Sequence, residues 1–304
     1  MKGLVTKSTG SWYRVKTDEG FVDARLRGKF KLEDKKITNP IAVGDTVILE
    51  QQADEWMISE IDNRTNYIIR RSPKKKHHDH LIAANVDQAI MIATFKEPRT
   101  SLGFIDRFLV TLEAFRIPGV IIFNKTDILS EEELEALNFL QFIYEKKVGY
   151  QFLKTSFLHN ALSPEIASIL KGKITMLSGH SGAGKSTMVN LLLPEADQKT
   201  AEISGFANKG VHTTTFAEMF FLDETTAIID TPGIKELGLS EIEPEELAHY
   251  FPEMRAFLGE CRFHNCLHNG EPGCAIQDAL ENGVIVEERY NSYLSMLQPD
   301  DNRR

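Results

Sequence analysis

Gly179-His180-Ser181-Gly182-Ala183-Gly184-Lys185-Ser186-Thr187 follows the run Lys173–Ser178 and opens onto Met188-Val189-Asn190-Leu191-Leu192. Strand, glycine-rich turn and helix in that order are the setting in which Gly-x-x-x-x-Gly-Lys-Ser forms a phosphate-binding loop. Its glycines let backbone N–H groups turn inward around phosphate oxygens, and the helix N-terminus that follows favours negative charge. In such a loop Lys185 reaches the β- and γ-phosphates and the Ser186 hydroxyl ligates Mg2+.

Upstream, Asn124-Lys125-Thr126-Asp127 closes the apolar strand Val120–Phe123. The Asp127 carboxylate is suited to accept from guanine N1–H and the exocyclic 2-amino group together. Adenine offers an acceptor at N1 and no 2-amino group, and a buried carboxylate left unpaired makes such discrimination strong. Lys125 is expected to lay its stem along the base and support the phosphate loop. Thr155-Ser156, after the next strand, offer a further, weaker base contact. In a conventional guanine-nucleotide domain the phosphate loop comes first and the base reader later; here the order is inverted.

Downstream, Asp230-Thr231-Pro232-Gly233 ends the strand Ala227–Asp230. Asp230 fits the acid that holds Mg2+, directly or through water, and the Gly233 amide fits a γ-phosphate sensor. Gly210-Val211-His212-Thr213-Thr214-Thr215 precedes another strand. Among its three threonines Thr214 is assigned to Mg2+ and the γ-phosphate, and His212 is the candidate for positioning water. Ras-like GTPases place a water-orienting glutamine directly after the Asp-x-x-Gly glycine. Here that residue is Ile234, which predicts slow hydrolysis unless His212 or a partner supplies the alignment.

Strands and helices alternate over 85–240, the mark of a mostly parallel sheet with helices on both faces. Before it, residues 1–65 read as short strands (Gly3–Thr9, Ser11–Thr17, Phe21–Leu26, Ala42–Glu50) separated by turn signals. That spacing suggests a small barrel, with an OB-fold as the leading candidate and a ligand-free structural β-domain as the alternative. Between them, 66–84 carries Arg70, Arg71, Lys74, Lys75, Lys76, His77, His78 and His80 with Asp79 as its only acid. With Arg64 just before it and Pro73 within it, the stretch reads as a mobile basic linker. Residues 241–304 read as a helical C-terminal domain.

The 304 residues carry a net charge of −9, unevenly spread. Residues 1–80 hold 16 Lys/Arg against 12 Asp/Glu, net +4, and the remainder 19 against 32, net −13. A basic N-terminal part on an acidic body suggests a face meant for phosphates. No long uncharged apolar run and no signal-like N-terminus is present, so a cytoplasmic protein with no membrane partner is expected.

All three cysteines lie between 261 and 274. Cys261, Cys266, His268 and Cys274 make a closed Cys3His set suited to structural zinc, with no open position for chemistry; His264 is an alternative to His268. So short a segment is expected to have little core of its own.

Taken together, the base reader ahead of the phosphate loop, Gly-x-His-Thr-Thr-Thr, Asp-Thr-Pro-Gly and Cys-x-Phe-x-x-Cys-x-His-x-x-Glu-Pro-Gly-Cys closely resemble the circularly permuted RsgA/YjeQ family of ribosome small subunit-dependent GTPases. Leu26-Arg27-Gly28-Lys29 and Val43-Gly44-Asp45 resemble that family's N-terminal OB domain. The resemblance implies a permuted P-loop GTPase domain flanked by an OB domain and a zinc domain, both contacting ribosomal RNA. It implies GTP hydrolysis stimulated by the small (30S) subunit, during late maturation of that subunit. A hydrophobic residue in place of the catalytic glutamine is a family trait that Ile234 matches, and His212 corresponds to the family's histidine. Two other readings stay open: a nucleotide-gated RNA-binding module with negligible turnover, and an ATPase. A monomer is expected.

Overall fold

The computed structural model describes residues 1–27, 39–71, 79–159, 162–193, 217–231 and 242–298. The chain divides into two compact units. The first holds Met1–Ala89, His159–Ser178 and Gly184–Glu236; the second holds Ile90–Leu158, Gly179–Ala183 and Leu237–Arg304.

In the first unit, β1 (Lys2–Ser8), β2 (Tyr13–Thr17), β3 (Gly20–Leu26), β4 (Thr46–Gln52) and β5 (Glu55–Ile61) pair in the order β1-β2-β3-β5-β4. β4 also pairs with β1, which closes a five-stranded barrel. Alternation drives it: Tyr13, Val15 and Thr17 of β2 are buried while Arg14 and Lys16 between them are not. Val5, Ala24, Val47, Leu49 and Ile58 complete the same core. The sequence pattern does not reveal β5, because Trp56, Met57 and Ile58 are consecutive apolar residues and blur the period-2 signal.

The linker reading of 66–84 needs correction at both ends. β6 (Tyr67–Arg71) and β7 (Asp79–Ala84) form an antiparallel hairpin, in which Ile68, Ile69, Ala83 and Ala84 are buried. Residues 72–78, with Lys74–His78, lie outside the described residues. Arg64, counted with the basic run, is no solvated charge: its guanidinium grips the fully buried Asp45 carboxylate with two bonds of 2.7 Å. Bidentate pairing of this kind is the geometry in which a buried carboxylate is tolerated. The adjacent Gly44 sits at φ +94°, where an added Cβ would come within 2.0 Å of the Ala84 carbonyl oxygen. Glycine lets the hairpin approach the turn that closely.

The rest of the first unit contains α3 (Pro164–Leu170), β11 (Ile174–Gly179), α4 (Lys185–Leu192), β12 (Glu218–Phe221) and β13 (Ala227–Asp230). β11 runs parallel to β13, and β12 lies antiparallel to β13 and meets β1 where Lys7 pairs with Glu218 at 3.1 Å.

In the second unit, the end of β8 (Gln88–Thr94) lies beside β9 (Gly119–Asn124), which runs parallel to β10 (Gln151–Lys154). Every position of β8 is buried, as expected of a strand covered on both faces. Helix α1 (Leu102–Ala114) is capped by the Ser101 hydroxyl. Helix α2 (Glu131–Gln141) starts with a Ser130–Glu133 capping box and continues as a π-helical stretch, Phe142–Val148, that ends at Gly149. The C-terminal lobe carries α5 (Ala275–Glu281) and α6 (Glu287–Leu297). It has more core than expected: Phe251, Met254, Ile276, Ile285 and Tyr293 cluster with Val110 of α1, so the lobe borrows a wall from that helix. Among the described residues, no helix is long and apolar enough to cross a membrane.

Candidate nucleotide site and metal centre

Parallel strands deliver the base reader. Asn124 ends β9 with its side chain nearly fully buried; Nδ2 donates to the Ala183 carbonyl at 2.9 Å, and Oδ1 accepts from the Phe157 amide at 3.0 Å. One side chain therefore ties the base-reading segment both to the phosphate loop and to the turn after β10. Lys125 takes a left-handed conformation (φ +63°), and its ammonium donates to the Glu97 carbonyl. The Thr126 amide and hydroxyl both donate to the Thr155 carbonyl at 3.1 Å. Asp127 is exposed, and the Ser156 hydroxyl donates to its carboxylate. Thr155 and Ser156 thus tie the segment Thr126–Asp127 to the turn after β10.

The first half of the phosphate loop lies in the same unit as Asn124–Asp127. Gly179 sits at φ +145°, and a Cβ there would come within 2.4 Å of the Ile92 carbonyl oxygen. Strand β8 and the loop can approach this closely only without a side chain. Gly179→Ala is expected to cost at least about 2 kcal/mol of stability, read by thermal denaturation. A melting temperature equal to wild type would contradict it. The His180 ring stacks on Phe104 with centroids 4.1 Å apart. Ser181 and Gly182 are exposed, and Ala183 is fully buried.

In the first unit Gly184 (φ +112°) starts α4. Ser186 and Thr187 are exposed on its first turn, which suits ligation of a cation by Ser186. Burial pulls the Lys185 ammonium below the ordinary lysine range, and the Asp230 carboxylate opposes that shift. A polyphosphate would oppose it further, since nearby negative charge favours the protonated form. Thr231 is buried and donates to the Leu177 carbonyl at 3.1 Å, which joins the ends of β13 and β11. His212, Thr214, Gly233 and Ile234 lie outside the described residues.

In the C-terminal lobe, the ligand atoms of Cys261, Cys266, His268 and Cys274 lie within 4.8 Å of one another. His268 Nδ1 is 3.4 Å from Cys274 Sγ and 3.6 Å from Cys261 Sγ, and the two sulfurs are 4.0 Å apart. A tetrahedron with Zn–S and Zn–N bonds of ordinary length has edges of about 3.6–3.8 Å, so the donor set fits a metal such as zinc. His264 is exposed and stands outside the set, which settles the alternative in favour of His268. Outer partners fix the turn: the Glu271 carboxylate accepts from the amides of Leu267 (2.9 Å) and Asn269 (2.6 Å), and Tyr290 donates to the His268 carbonyl at 2.6 Å. Burial pushes the Cys266 thiol up to about 12 and raises that of Cys274. Without a cation Cys266 and Cys274 therefore keep their protons at neutral pH, and a metal must displace them on binding.

Sequence reasoning missed three contacts: Phe104 on His180, Lys125 on Glu97, and the group Asp106–Arg289–Glu253. None has a motif, because each depends on which helix faces bring distant residues together.

Comparison with known proteins places this geometry. A model described as RsgA GTPase matches residues 61–240, and one described as RsgA N-terminal domain matches residues 2–56. The chain is 52% identical over 308 residues to the small ribosomal subunit biogenesis GTPase RsgA of Cytophaga hutchinsonii, covering all of both proteins. It is 49% identical to RsgA 2 of Bacteroides thetaiotaomicron, over 98% of this chain and 96% of that protein. Among solved structures, YjeQ from Thermotoga maritima superposes with a TM-score of 0.76 at 34% identity, over 97% of this chain and 96% of that one. YloQ, a circularly permuted GTPase, gives 0.74 at 28% identity, over 100% and 96%.

Proposed function

The chain belongs to the RsgA family of small ribosomal subunit biogenesis GTPases, and from that membership we propose how its residues divide the work of hydrolysing GTP. Asp127 reads guanine, with Asn124, Lys125 and Thr126 holding it in place. Gly179–Thr187 wraps the phosphates, with Lys185 neutralising the β- and γ-phosphates. Ser186 and Thr214 would hold Mg2+, with Asp230 behind them, and that ion would offset charge on the leaving oxygens. The Gly233 amide senses the γ-phosphate and His212 orients water. The observation that supports this division is the Asn124 side chain bonded to Ala183, which binds base reader to phosphate loop although the chain presents them in reverse order.

We assign the Cys3His set to one structural zinc ion and divide the chain into an RNA-binding OB domain (1–65), a basic connection (66–84), the permuted GTPase domain (85–240) and the zinc domain (241–304). Residues 1–65 hold 11 Lys/Arg against 11 Asp/Glu, and 66–80 hold five against one, so the net positive charge suited to ribosomal RNA lies in the connection beside the barrel. The protein is read as a cytoplasmic monomer acting late in small-subunit maturation. With Ile234 where a glutamine would orient water, turnover of the isolated protein is slow. GTP hydrolysis titrated with purified small and large subunits separately tests this. Small subunits are expected to raise turnover at least about tenfold and large subunits to leave it unchanged. Tight GTP-dependent binding to small subunits without turnover would favour the nucleotide-gated binding module that Ile234 permits.

A further inference from the structure

Helix α1 makes contacts on two of its sides, all within the second unit. On one side Phe104 stacks on His180 of the phosphate loop, centroids 4.1 Å apart and rings inclined by 28°. Residue 106 points nearly the opposite way, since two helical steps turn about 200°. There Asp106 Oδ1 accepts from Arg289 Nη1 and from the Tyr144 hydroxyl, each at 2.6 Å, and Arg289 Nε donates to Glu253 at 2.6 Å. The Asp106 and Arg289 side chains are each 1% exposed. Burial alone would lower the Arg289 pKa, but Asp106 and Glu253 together hold it well above its ordinary value, so the group stays charged. Seven residues on, and so on the same face, Glu113 accepts from Arg255 and from the Tyr150 hydroxyl. Arg255, Glu253 and Arg289 all come from the C-terminal lobe.

One unbroken helix therefore carries the phosphate loop on one face and two arginine clasps of the metal-binding lobe on another. We propose that α1 couples nucleotide occupancy of the loop to the C-terminal lobe, with Phe104 as the positioning residue that acts through His180. The proposal rests on the reading that Gly179–Thr187 binds guanine nucleotide. Coupling of this kind is reciprocal: what the nucleotide does to the lobe, the lobe does to nucleotide affinity.

The test is a double-mutant cycle on the full-length chain. Affinity for a fluorescent GDP analogue is measured for wild type, Phe104→Leu, Arg255→Gln and the pair, together with hydrogen exchange at 247–258 and 287–297 with and without GDP. Each single substitution is expected to weaken binding about fivefold, and the pair to weaken it no more than Phe104→Leu alone. Phe104→Tyr, which keeps the ring, should restore both affinity and coupling. GDP should protect 287–297 in wild type but not in Phe104→Leu. Fully multiplicative effects, or wild-type protection in Phe104→Leu, would overturn the coupling while leaving the nucleotide reading intact. Failure of wild type to bind any guanine nucleotide would remove both.

Discussion

Replacing Cys274 by Ser is expected to unfold the turn 261–274 and to abolish stoichiometric zinc binding. Cys274 is buried, its sulfur is 3.4 Å from His268 Nδ1 and 4.0 Å from Cys261 Sγ, and it stands at the first position before α5. Structural zinc of this kind contributes about 10–16 kcal/mol of binding energy to folding, more than the whole stability of many domains. The loss should nonetheless stay local. Helix α6 is fixed independently by Arg289 on Asp106 and Glu253, and by Tyr293 against Phe251. Metal content by elemental analysis and hydrogen exchange read the outcome: exchange rises steeply over 261–274 and much less over 287–297. A chelator should reproduce this in wild type and do nothing further to the variant. Unchanged exchange over 261–274 with and without chelator in wild type would exclude a structural metal.

The second large effect is a change of base. Asp127→Asn should weaken GTP binding roughly a thousandfold and make xanthosine triphosphate the preferred ligand. In the proposed reading the carboxylate accepts two guanine N–H groups, and an amide there would meet the 2-amino group donor to donor. Xanthine carries an oxygen at that position, so the amide again finds one donor and one acceptor. The exchange depends on the side chain staying in place, and its supports do not involve its charge: the 3-10 turn Thr126–Ile128, the Thr126 bonds to Thr155 and the Ser156 hydroxyl. Competition titrations with GTP, ATP and xanthosine triphosphate decide it. Retained preference for GTP would refute Asp127 as the reader.

What could be seen in the sequence follows from how local each signal is. The phosphate loop is legible because its conformation is dictated residue by residue: Gly179, Gly182 and Gly184 all adopt positive φ. Asn124–Asp127 is legible only beside that loop, since a short polar turn after a strand is otherwise commonplace. The four donors of the metal set are close in sequence, so spacing narrowed them to a choice between His264 and His268, which only geometry could make. β6 and β7 were hidden by neighbouring charge: Ile68, Ile69, Ala83 and Ala84 are too few to outweigh Arg70, Arg71 and Lys74–Lys76 in composition, yet burial decides the pairing. Arg289 is the clearest case of what no pattern shows. It stands in the polar run Glu287-Glu288-Arg289, and only the packing of α6 on α1 reveals that one charge of the three is buried.

The bond from Asn124 to Ala183 also bears on how such a chain order can exist at all. The end of β9 is held beside Ala183 by pairing with β10 and by one amide crossing between loops, not by the peptide that happens to join them. Linear sequence is then free to be rearranged, because the stitch from Asn124 to Ala183 is noncovalent and survives wherever the thread is cut and retied.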